Sequence, residues 1–539
     1  MLIHINAAKC IGIDAVPVLV ETKIDRGIGI RMVGLADVTV KESLLRTTTA
    51  LQALGFTIPG KQIVINLAPA DLHKSGSGYD LPIALGILAA SEQCPLPELG
   101  KYLVMGELGL DGSVRDIPAG LPYTELAIKS GLSGIILPLG AALEATEMKE
   151  INVYGVETLT DVLKILGGSE DVSDLLVWNT AAYRKMSRER QRRTHCGKNP
   201  EVGEKSGSEI IDFSDIVGQE GAKRGVEIAA AGGHNLILIG APGSGKSSLA
   251  KAMAGILPPM TREEALVTSK IFSIAGKGNL RLGLMHQRPF RAPHHSASLA
   301  AIIGGGGGDG IVPGEVSLAQ NGILFCDEVG QMPRSIIESL RGPIEDRKVV
   351  ISRLRGKVEY PSSFMLVAAS NPCPCGYWGE GDRCTCTPTQ RMSYLSRLSG
   401  PILDRIDIQC WLKTVRSDAI VSAKKAETSA MVAERVLKAR IVQKQRFAAE
   451  NAEAGENGHH ILTNAEMNNR QIEKYCPLDK ECKDTMIRLM DKTGISMRAY
   501  YRIIRVARTI ADLEGADDIR ARHLLEAAGY RFLDKLDAR

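Results

Sequence analysis

The sequence GAPGSGKS, Gly240 to Ser247, is the strongest indication of architecture in this 539-residue chain. It satisfies the pattern GxxxxGK[ST], follows the apolar run NLILI and precedes the helical pattern SSLAKAMAGIL. A strand, a glycine-rich loop and a helix in this order surround a phosphate with backbone N–H groups. The pattern therefore predicts an ATP site, in which Lys246 neutralises the β- and γ-phosphate oxygens and Ser247 ligates Mg²⁺. The predicted phosphate-binding residues are Gly240, Gly243, Ser244, Gly245, Lys246, Ser247 and Ser248.

Two further apolar runs end in polar side chains. The run ILFC ends in Asp327 and Glu328, and adjacent carboxylates at a strand end can divide two tasks. We expect Asp327 to hold Mg²⁺ and Glu328 to polarise the attacking water. The run SFMLVAAS ends in Asn371, whose amide can orient that water or the γ-phosphate. Asn before Pro372 is also a common turn signal, so both interpretations of Asn371 stay open.

The rest of the chain is organised around this site. We predict an α/β multidomain protein, because 539 residues exceed what one hydrophobic core organises. The P-loop region should hold a parallel sheet, since its apolar runs have the length of buried strands. The expected regions are a mixed α/β domain at 1–167, a basic polar linker at 168–208, the ATPase core at 209–414 and a helical lid at 415–539.

Composition and charge exclude several classes of protein. The longest near-apolar run, Leu81–Ala90, is half of the roughly 20 residues that a membrane span needs. The first ten residues lack the pattern of a signal peptide, so we expect a cytoplasmic protein with no membrane partner. Eleven cysteines are too sparse here for a disulfide scaffold. A net charge of +4 does not indicate a polyanion partner, and the basic run Arg184–Arg193 fits either a solvated linker or a nucleic-acid contact.

The ordered set GAPGSGKS, ILFCDE, AASN, LDRID and SMRAYYRI resembles that of AAA+ ATPases. The segments RPFRAPHHSAS, IVPGEVSLAQNGILFCDE and SGPILDRIDI narrow the resemblance to the magnesium-chelatase-like AAA+ proteins of the YifB/ComM family, over essentially the whole chain. The resemblance implies that Asn371 is sensor 1. It also implies an arginine finger at Arg405, which acts on a neighbouring subunit's ATP, and a second sensor at Arg498, which reads the γ-phosphate of its own subunit. A finger between subunits implies a ring, expected to be a hexamer, and Arg391 and Arg397 stay open as alternative interface arginines.

The N-terminal third resembles the ChlI-type domain of that family, which is distantly similar to the Lon protease domain and its ribosomal S5 domain 2-like fold. A Lon-type site needs a serine that a lysine activates. Ser75 and Ser77 lie in HKSGSGYDLP, but the Lon serine position falls on or beside Gly78. The stretch GSVRDIPAGLPYTEL has no lysine where the partner should lie. We therefore expect this fold without protease activity.

Two elements are candidates for contact with a substrate. The resemblance places an insertion between Arg288 and Pro313, in which the run GGGGGDG predicts a mobile loop. His294 and His295 lie there, and adjacent side chains rarely converge on a metal, which favours a structural or interface role. The stretch DRKVVISRLRGKVEYP predicts a hairpin that is either a solubilised edge or a contact for DNA phosphates. The candidate DNA contacts are Arg353, Arg355 and Lys357.

Four cysteines cluster in NPCPCGYWGEGDRCTCTP. Cys373, Cys375, Cys384 and Cys386 can close a tetrahedral Zn²⁺ site, because the intervening glycines allow the chain to turn. Reduced free thiols and a redox disulfide are the alternatives. We expect a zinc site here to be structural and dispensable to catalysis.

The resemblance implies a Mg²⁺-dependent ATPase motor that acts on single-stranded or branched DNA. Its ComM branch implies a hexameric helicase that promotes branch migration during natural transformation and recombination. One alternative is a metal-chelatase motor subunit, which would need partner subunits that nothing here resembles. Another is an ATP-driven protein remodeller or peptidase regulator that holds polypeptide with its N-terminal domain.

Overall fold

The computed structural model describes most of the chain and has the predicted α/β multidomain architecture. Of the predicted site residues, Arg355 and Arg397 lie outside the described residues, as does part of the GGGGGDG run, and only the backbone of Arg353 is described. No helix in the described part of the chain is both long and apolar enough to cross a membrane. The described residues are 2–169, 171–195, 211–278, 282–306, 311–353, 356–396, 400–414, 426–455 and 460–533.

The first 169 residues form a seven-stranded mixed sheet in the order β3-β4-β2-β1-β5-β8-β9. The helix Asp80–Ala90 is apolar on all sides and is buried from Asp80 to Leu88, so it lies in the core of this region. The strands are β1 Leu2–Ile11, β2 Asp14–Asp25, β3 Gly29–Val33, β4 Gln62–Ala68, β5 Tyr102–Val104, β6 Glu107–Leu108, β7 Val114–Arg115, β8 Gly134–Pro138 and β9 Asn152–Val156. The helices are Val38–Ala53, Asp80–Ala90, Gly120–Lys129, Leu139–Glu144 and Leu159–Leu166.

The predicted linker contains ordered structure. Its residues Ala181–His195 form a helix, and the indole N–H of Trp178 donates to the carbonyl of Thr146 at 2.8 Å. The start of this stretch therefore packs against the first sheet region, while residues 196–208 lie outside the described residues.

A five-stranded parallel sheet follows in the order β11-β14-β17-β10-β18, which confirms the predicted parallel sheet. All five strands run the same way, so their carboxyl ends meet at one edge. The strands of this region are β10 Leu236–Gly240, β11 Phe290–Arg291, β12 Gly304–Gly305, β13 Val312–Pro313, β14 Ile323–Cys326, β15 Lys348–Arg353, β16 Gly356–Pro361, β17 Met365–Ser370 and β18 Ile408–Leu412. Its helices are Glu220–Gly232, Lys246–Ile256, Arg262–Ile274, Leu299–Ile303, Glu315–Leu318, Arg334–Ser339, Arg341–Asp346, Pro388–Leu395 and Gly400–Leu403.

The last region is helical and packs behind the parallel sheet. Buried polar groups fix it there: Arg502 pairs with Asp407 at 2.6 Å, and His234 lies 2.8 Å from the hydroxyl of Thr509. Asp407 directly precedes β18, so these helices lie at the amino-terminal edge of the strands. The helices are Ser429–Ala454, Asn469–Tyr475, Lys480–Thr493, Met497–Glu514 and Ala521–Gly529.

Buried charges join the first sheet region to the helix Arg262–Ile274. The ammonium of Lys270 is buried and lies 2.5 Å from Asp14 and 2.6 Å from Glu125. Beside it, the Glu144 carboxyl accepts a hydrogen bond from Ser273 and is only 3% exposed. Burial raises the pKa of Glu144 to about 7. We therefore expect the contact between the two regions to be sensitive to pH.

Replacing Glu144 with Gln should stabilise the protein above pH 7. The unfolded chain loses this proton near the ordinary glutamate pKa of 4.5, whereas the folded protein keeps it until about pH 7. Between these values only the folded state binds the proton, so the free energy of unfolding falls as pH rises, by up to about 3 kcal/mol. Because glutamine does not titrate, the stability of Glu144→Gln should not show this fall with rising pH. Thermal melts of the variant and the wild type at pH 5 and pH 8 measure the difference. Glu150→Gln, an exposed carboxylate paired with Arg262, is the control; equal pH effects in both variants would contradict the assignment.

Candidate nucleotide-binding site

The loop between β10 and the helix Lys246–Ile256 has the geometry of a phosphate cradle. Gly243 and Gly245 have φ values of 76° and 91°, which side-chain-bearing residues rarely adopt. No side chain caps the first turn of the following helix, so its N–H groups face the loop without a side-chain acceptor. A nucleotide phosphate supplies the acceptors that such a turn lacks, and the residues present therefore fit ATP.

Lys246 lies at the mouth of this loop. Its ammonium donates to the carbonyls of Gly240 and Ala241 at 2.7 and 3.0 Å and to the amide oxygen of Asn371 at 3.2 Å. Burial lowers the pKa of Lys246, and the neighbouring carboxylates Asp327 and Glu328 oppose that shift. The structure thus brings Asn371, at the end of β17, into contact with the P-loop lysine.

The two carboxylates predicted at the end of β14 also meet the P-loop. The hydroxyl of Ser247 donates to Asp327 at 3.0 Å, so a hydroxyl and a carboxylate converge as oxygen ligands of a hard cation do. Asp327 also accepts from the backbone N–H of Glu328 at 2.9 Å. Glu328 has a φ of 49°, a left-handed backbone conformation that residues other than glycine rarely adopt.

The structure adds His295 to this group, a residue for which the sequence favoured a structural or interface role. Its Nδ1 lies 3.8 Å from the carboxylate of Glu328. The reason is the sheet register: Arg291 on β11 pairs with Leu324 on β14, and His295 and Glu328 each lie four residues further on. Neither RPFRAPHH nor GILFCDE carries a sequence signal for this contact, because it depends on which strands are neighbours in the sheet.

Arg405 and Arg498 lie together, but far from Lys246. Arg405 is 7% exposed and pairs with Glu345 at 2.5 Å, whereas Arg498 is 71% exposed and lies 3.9 Å from Asp404. Both line one cleft of about 200 Å³, and Arg405 also lines an adjoining cleft of about 1150 Å³. These clefts are at the amino-terminal edge of β10 and β18, and Lys246 follows the carboxyl edge, roughly 16 Å away at five residues per strand.

In the structure Arg498 lies beside Asp404 rather than beside the P-loop. A sensor of its own subunit's γ-phosphate has to reach the P-loop, and the helices that carry Arg498 pack behind the sheet rather than over its carboxyl edge. Arg391, the alternative interface arginine that is described, instead lies 5.7 Å from the ring of Trp378. Arg405 and Arg498 therefore line the same cleft.

The predicted basic hairpin is present as the antiparallel pair of β15 and β16. Two of its basic residues are already paired, Arg347 with Glu466 at 2.7 Å and Lys348 with Glu359 at 3.2 Å. Lys357 is exposed on the same hairpin. Among the described residues, Lys357 is thus the predicted DNA contact that has an exposed side chain.

The contacts of Ser77 and of the neighbouring Gly78 involve Glu107 and apolar side chains. Ser77 donates its hydroxyl hydrogen to the carboxylate of Glu107. At Gly78, an added Cβ atom would lie 3.0 Å from Met105 and 3.7 Å from Ile117, so apolar side chains cover the Lon serine position. The absence of protease activity stays a prediction for this region.

The four clustered cysteines converge. The sulfur atoms of Cys373, Cys375, Cys384 and Cys386 all lie within 4.8 Å of one another. Cys373 is 3.3 Å from Cys375 and 3.8 Å from Cys384, and Cys375 is 3.7 Å from Cys384. A hydrogen bond from the backbone N–H of Tyr377 lowers the pKa of Cys375 to about 6, which favours the thiolate that binds metals.

The chain is similar to known proteins along nearly its whole length. Family models match residues 20–141 (subunit ChlI of Mg-chelatase), 212–420 (magnesium chelatase, subunit ChlI) and 426–531 (magnesium chelatase, subunit ChlI C-terminal). The chain is 41% identical to the YifB protein of Salmonella typhimurium, over 99% of this chain and 97% of that protein. It is 40% identical to the competence protein ComM of Haemophilus influenzae, over 97% and 96%. With both relatives matched along nearly their full length, the chain belongs to the YifB/ComM family of magnesium-chelatase-like AAA+ ATPases.

Proposed function

We propose that this protein is a Mg²⁺-dependent ATPase motor that acts on single-stranded or branched DNA and promotes branch migration during natural transformation and recombination. The observation that carries the ATPase is the convergence of Lys246, Ser247, Asp327 and Asn371 from three parallel strands. The DNA role is supported by the 40% identity to a protein named for competence. The match to the 38 kDa magnesium-chelatase subunit of Cereibacter sphaeroides, at 26% identity over 30% of this chain, supports the chelatase alternative less well.

Each residue of the site has a distinct role in the proposed hydrolysis. Lys246 and the N–H groups of the loop hold the β- and γ-phosphates, and Ser247 and Asp327 hold Mg²⁺. When bound, Mg²⁺ neutralises the charge that develops on the phosphate oxygens. Glu328 takes the proton of the attacking water, and His295 positions the Glu328 carboxylate. Asn371, released from Lys246, orients the γ-phosphate.

The location of Arg405 and Arg498 supports a ring, which we propose to be a homohexamer. Arginines at the amino-terminal edge cannot reach the P-loop at the opposite edge of the same sheet. In a ring, one subunit's cleft faces the next subunit's nucleotide, so both arginines act between subunits. Arg405 thus remains the proposed arginine finger, and Arg498 becomes a sensor of the neighbouring subunit's nucleotide.

We also propose the domain division 1–167, 168–208, 209–414 and 415–539, with a protease-inactive Lon-like fold first and a helical lid last. The separate seven-stranded and five-stranded sheets support this division, as do the three matched family regions. A structural Zn²⁺ at the four cysteines completes the proposed cofactors. A Zn–S bond of about 2.3 Å gives a tetrahedron with edges of about 3.8 Å, and three of the sulfur pairs lie at 3.3–3.8 Å.

The ATPase rate should rise with DNA and the stimulation should weaken with salt, because phosphate contacts release counterions. The rate is measured with Mg²⁺ alone and with single-stranded DNA, a branched junction or unfolded protein, at low and moderate salt. Lys357→Ala should lower the DNA stimulation several-fold, whereas Lys348→Ala, on the same hairpin but paired with Glu359, should change it little. Stimulation by unfolded protein alone would replace the DNA motor by the remodeller.

A further inference from the structure

The cysteine cluster lies directly against the nucleotide loop. An added Cβ atom at Gly376 would lie 2.8 Å from Cδ of Pro242, so the glycine and the loop proline are in close contact. Gly376 also has a φ of 85°, which a glycine adopts without strain. Pro242 belongs to the GAPGSGKS loop itself. The turn between Cys375 and Cys384 therefore packs against the loop that would hold the phosphates.

The same turn continues from the sensor and braces the neighbouring strand. Cys373 is fully buried and lies two residues after Asn371, the side chain that accepts from Lys246. Trp378 makes an edge contact with Trp411 of β18, with ring centroids 5.5 Å apart. Further along, Glu380 accepts from the backbone N–H of Thr414 at 2.8 Å. The segment thus contacts the P-loop, the sensor and the end of β18.

The segment has little regular secondary structure of its own. Between Cys373 and Cys386 its regular structure is one short 3₁₀ turn, Gly381–Arg383, and three of its glycines have positive φ values. A segment of this kind folds around a cross-link, and a metal bound by four thiolates supplies one. Loss of the metal would free the turn at Gly376 that contacts Pro242.

We propose that the zinc-closed cysteine segment controls nucleotide affinity by holding the P-loop and Asn371 in place. This inference rests on the proposed nucleotide site and zinc ion but is independent of the DNA role. It differs from the expectation from sequence that such a site is dispensable to catalysis, because the sequence does not reveal the contact between Gly376 and Pro242. The segment acts through the P-loop, so its cysteines are positioning residues.

The test measures zinc content, nucleotide binding and tryptophan fluorescence on the full-length protein. Wild-type protein should hold about one zinc ion per chain. Chelation or Cys384→Ser should remove it, weaken binding of a fluorescent ATP analogue by about tenfold or more and change the emission of Trp378 and Trp411, and added zinc should restore the chelated wild type. Cys94→Ser, a cysteine of the first sheet region, is the matched control.

The variant Pro242→Ala distinguishes the proposed effect of the cysteine segment on nucleotide affinity from an effect of general unfolding. This variant keeps all four thiols and should retain zinc, but its nucleotide affinity should respond less to chelation because the contact with Gly376 is reduced. Wild-type protein with far less than one zinc ion per chain would overturn the proposal. So would unchanged nucleotide affinity after complete zinc removal. Failure of DNA to stimulate hydrolysis would count against the motor and leave these binding results intact.

Discussion

The variant Glu328→Gln should bind ATP normally and hydrolyse it about 10²- to 10⁴-fold more slowly. Glutamine has nearly the shape of glutamate, so the backbone N–H at this position still donates to Asp327 and the Ser247–Asp327 pair is kept. What is lost is the carboxylate that takes the proton of the attacking water. Equilibrium binding of a fluorescent ATP analogue and single-turnover hydrolysis measure the two effects separately.

The control for this variant is Glu338→Gln. Glu338 is an exposed carboxylate on the helix Arg334–Ser339 and pairs with Arg334 at 2.8 Å, ten residues after Glu328 in sequence. It should hydrolyse ATP at the wild-type rate. If Glu328→Gln kept more than about a third of wild-type turnover, Glu328 would not be the general base, and the water would have to be activated elsewhere.

The nucleotide site was largely predictable from sequence because each element carries a local signal. The loop GAPGSGKS and the pair Asp327–Glu328 follow buried strands directly, and parallel strands bring their carboxyl ends to one edge. The structure accordingly brings Lys246, Ser247, Asp327 and Asn371 into contact. In these cases the spacing along the chain and the strand direction determine the position in space.

The contacts that sequence reasoning missed depend on packing between distant elements. His295 meets Glu328 only because β11 lies beside β14, and the order of strands in a sheet is not written in either segment. Glu144 reaches Ser273 because two separate regions pack together. The same holds for Arg498: its helix is readable from its apolar periodicity, but the side of the sheet on which that helix packs is set by buried pairs such as Arg502–Asp407.

Arg405→Ala should retain ATP binding and lose hydrolysis by about 10³- to 10⁵-fold, and mixing it with Glu328→Gln should restore part of the turnover. Each variant alone lacks one group at every interface. In a mixed ring, an Arg405→Ala subunit supplies Glu328 while its Glu328→Gln neighbour supplies Arg405, so about a quarter of the interfaces in an equal random mixture are complete. The rate is measured against the mixing ratio at a fixed total concentration.

The structure also raises a competing explanation for a loss of activity in Arg405→Ala. Arg405 is nearly buried and pairs with Glu345, so its removal leaves a carboxylate without this partner and can lower stability. Glu345→Gln is the matched control: it breaks the same pair but keeps the arginine, and it should retain hydrolysis. A mixture that never exceeds the sum of its separate components would contradict a shared site, because only complementation between subunits produces the excess. Since Arg498 lines the same cleft, Arg498→Ala should complement Glu328→Gln in the same way if both arginines serve the neighbour's nucleotide.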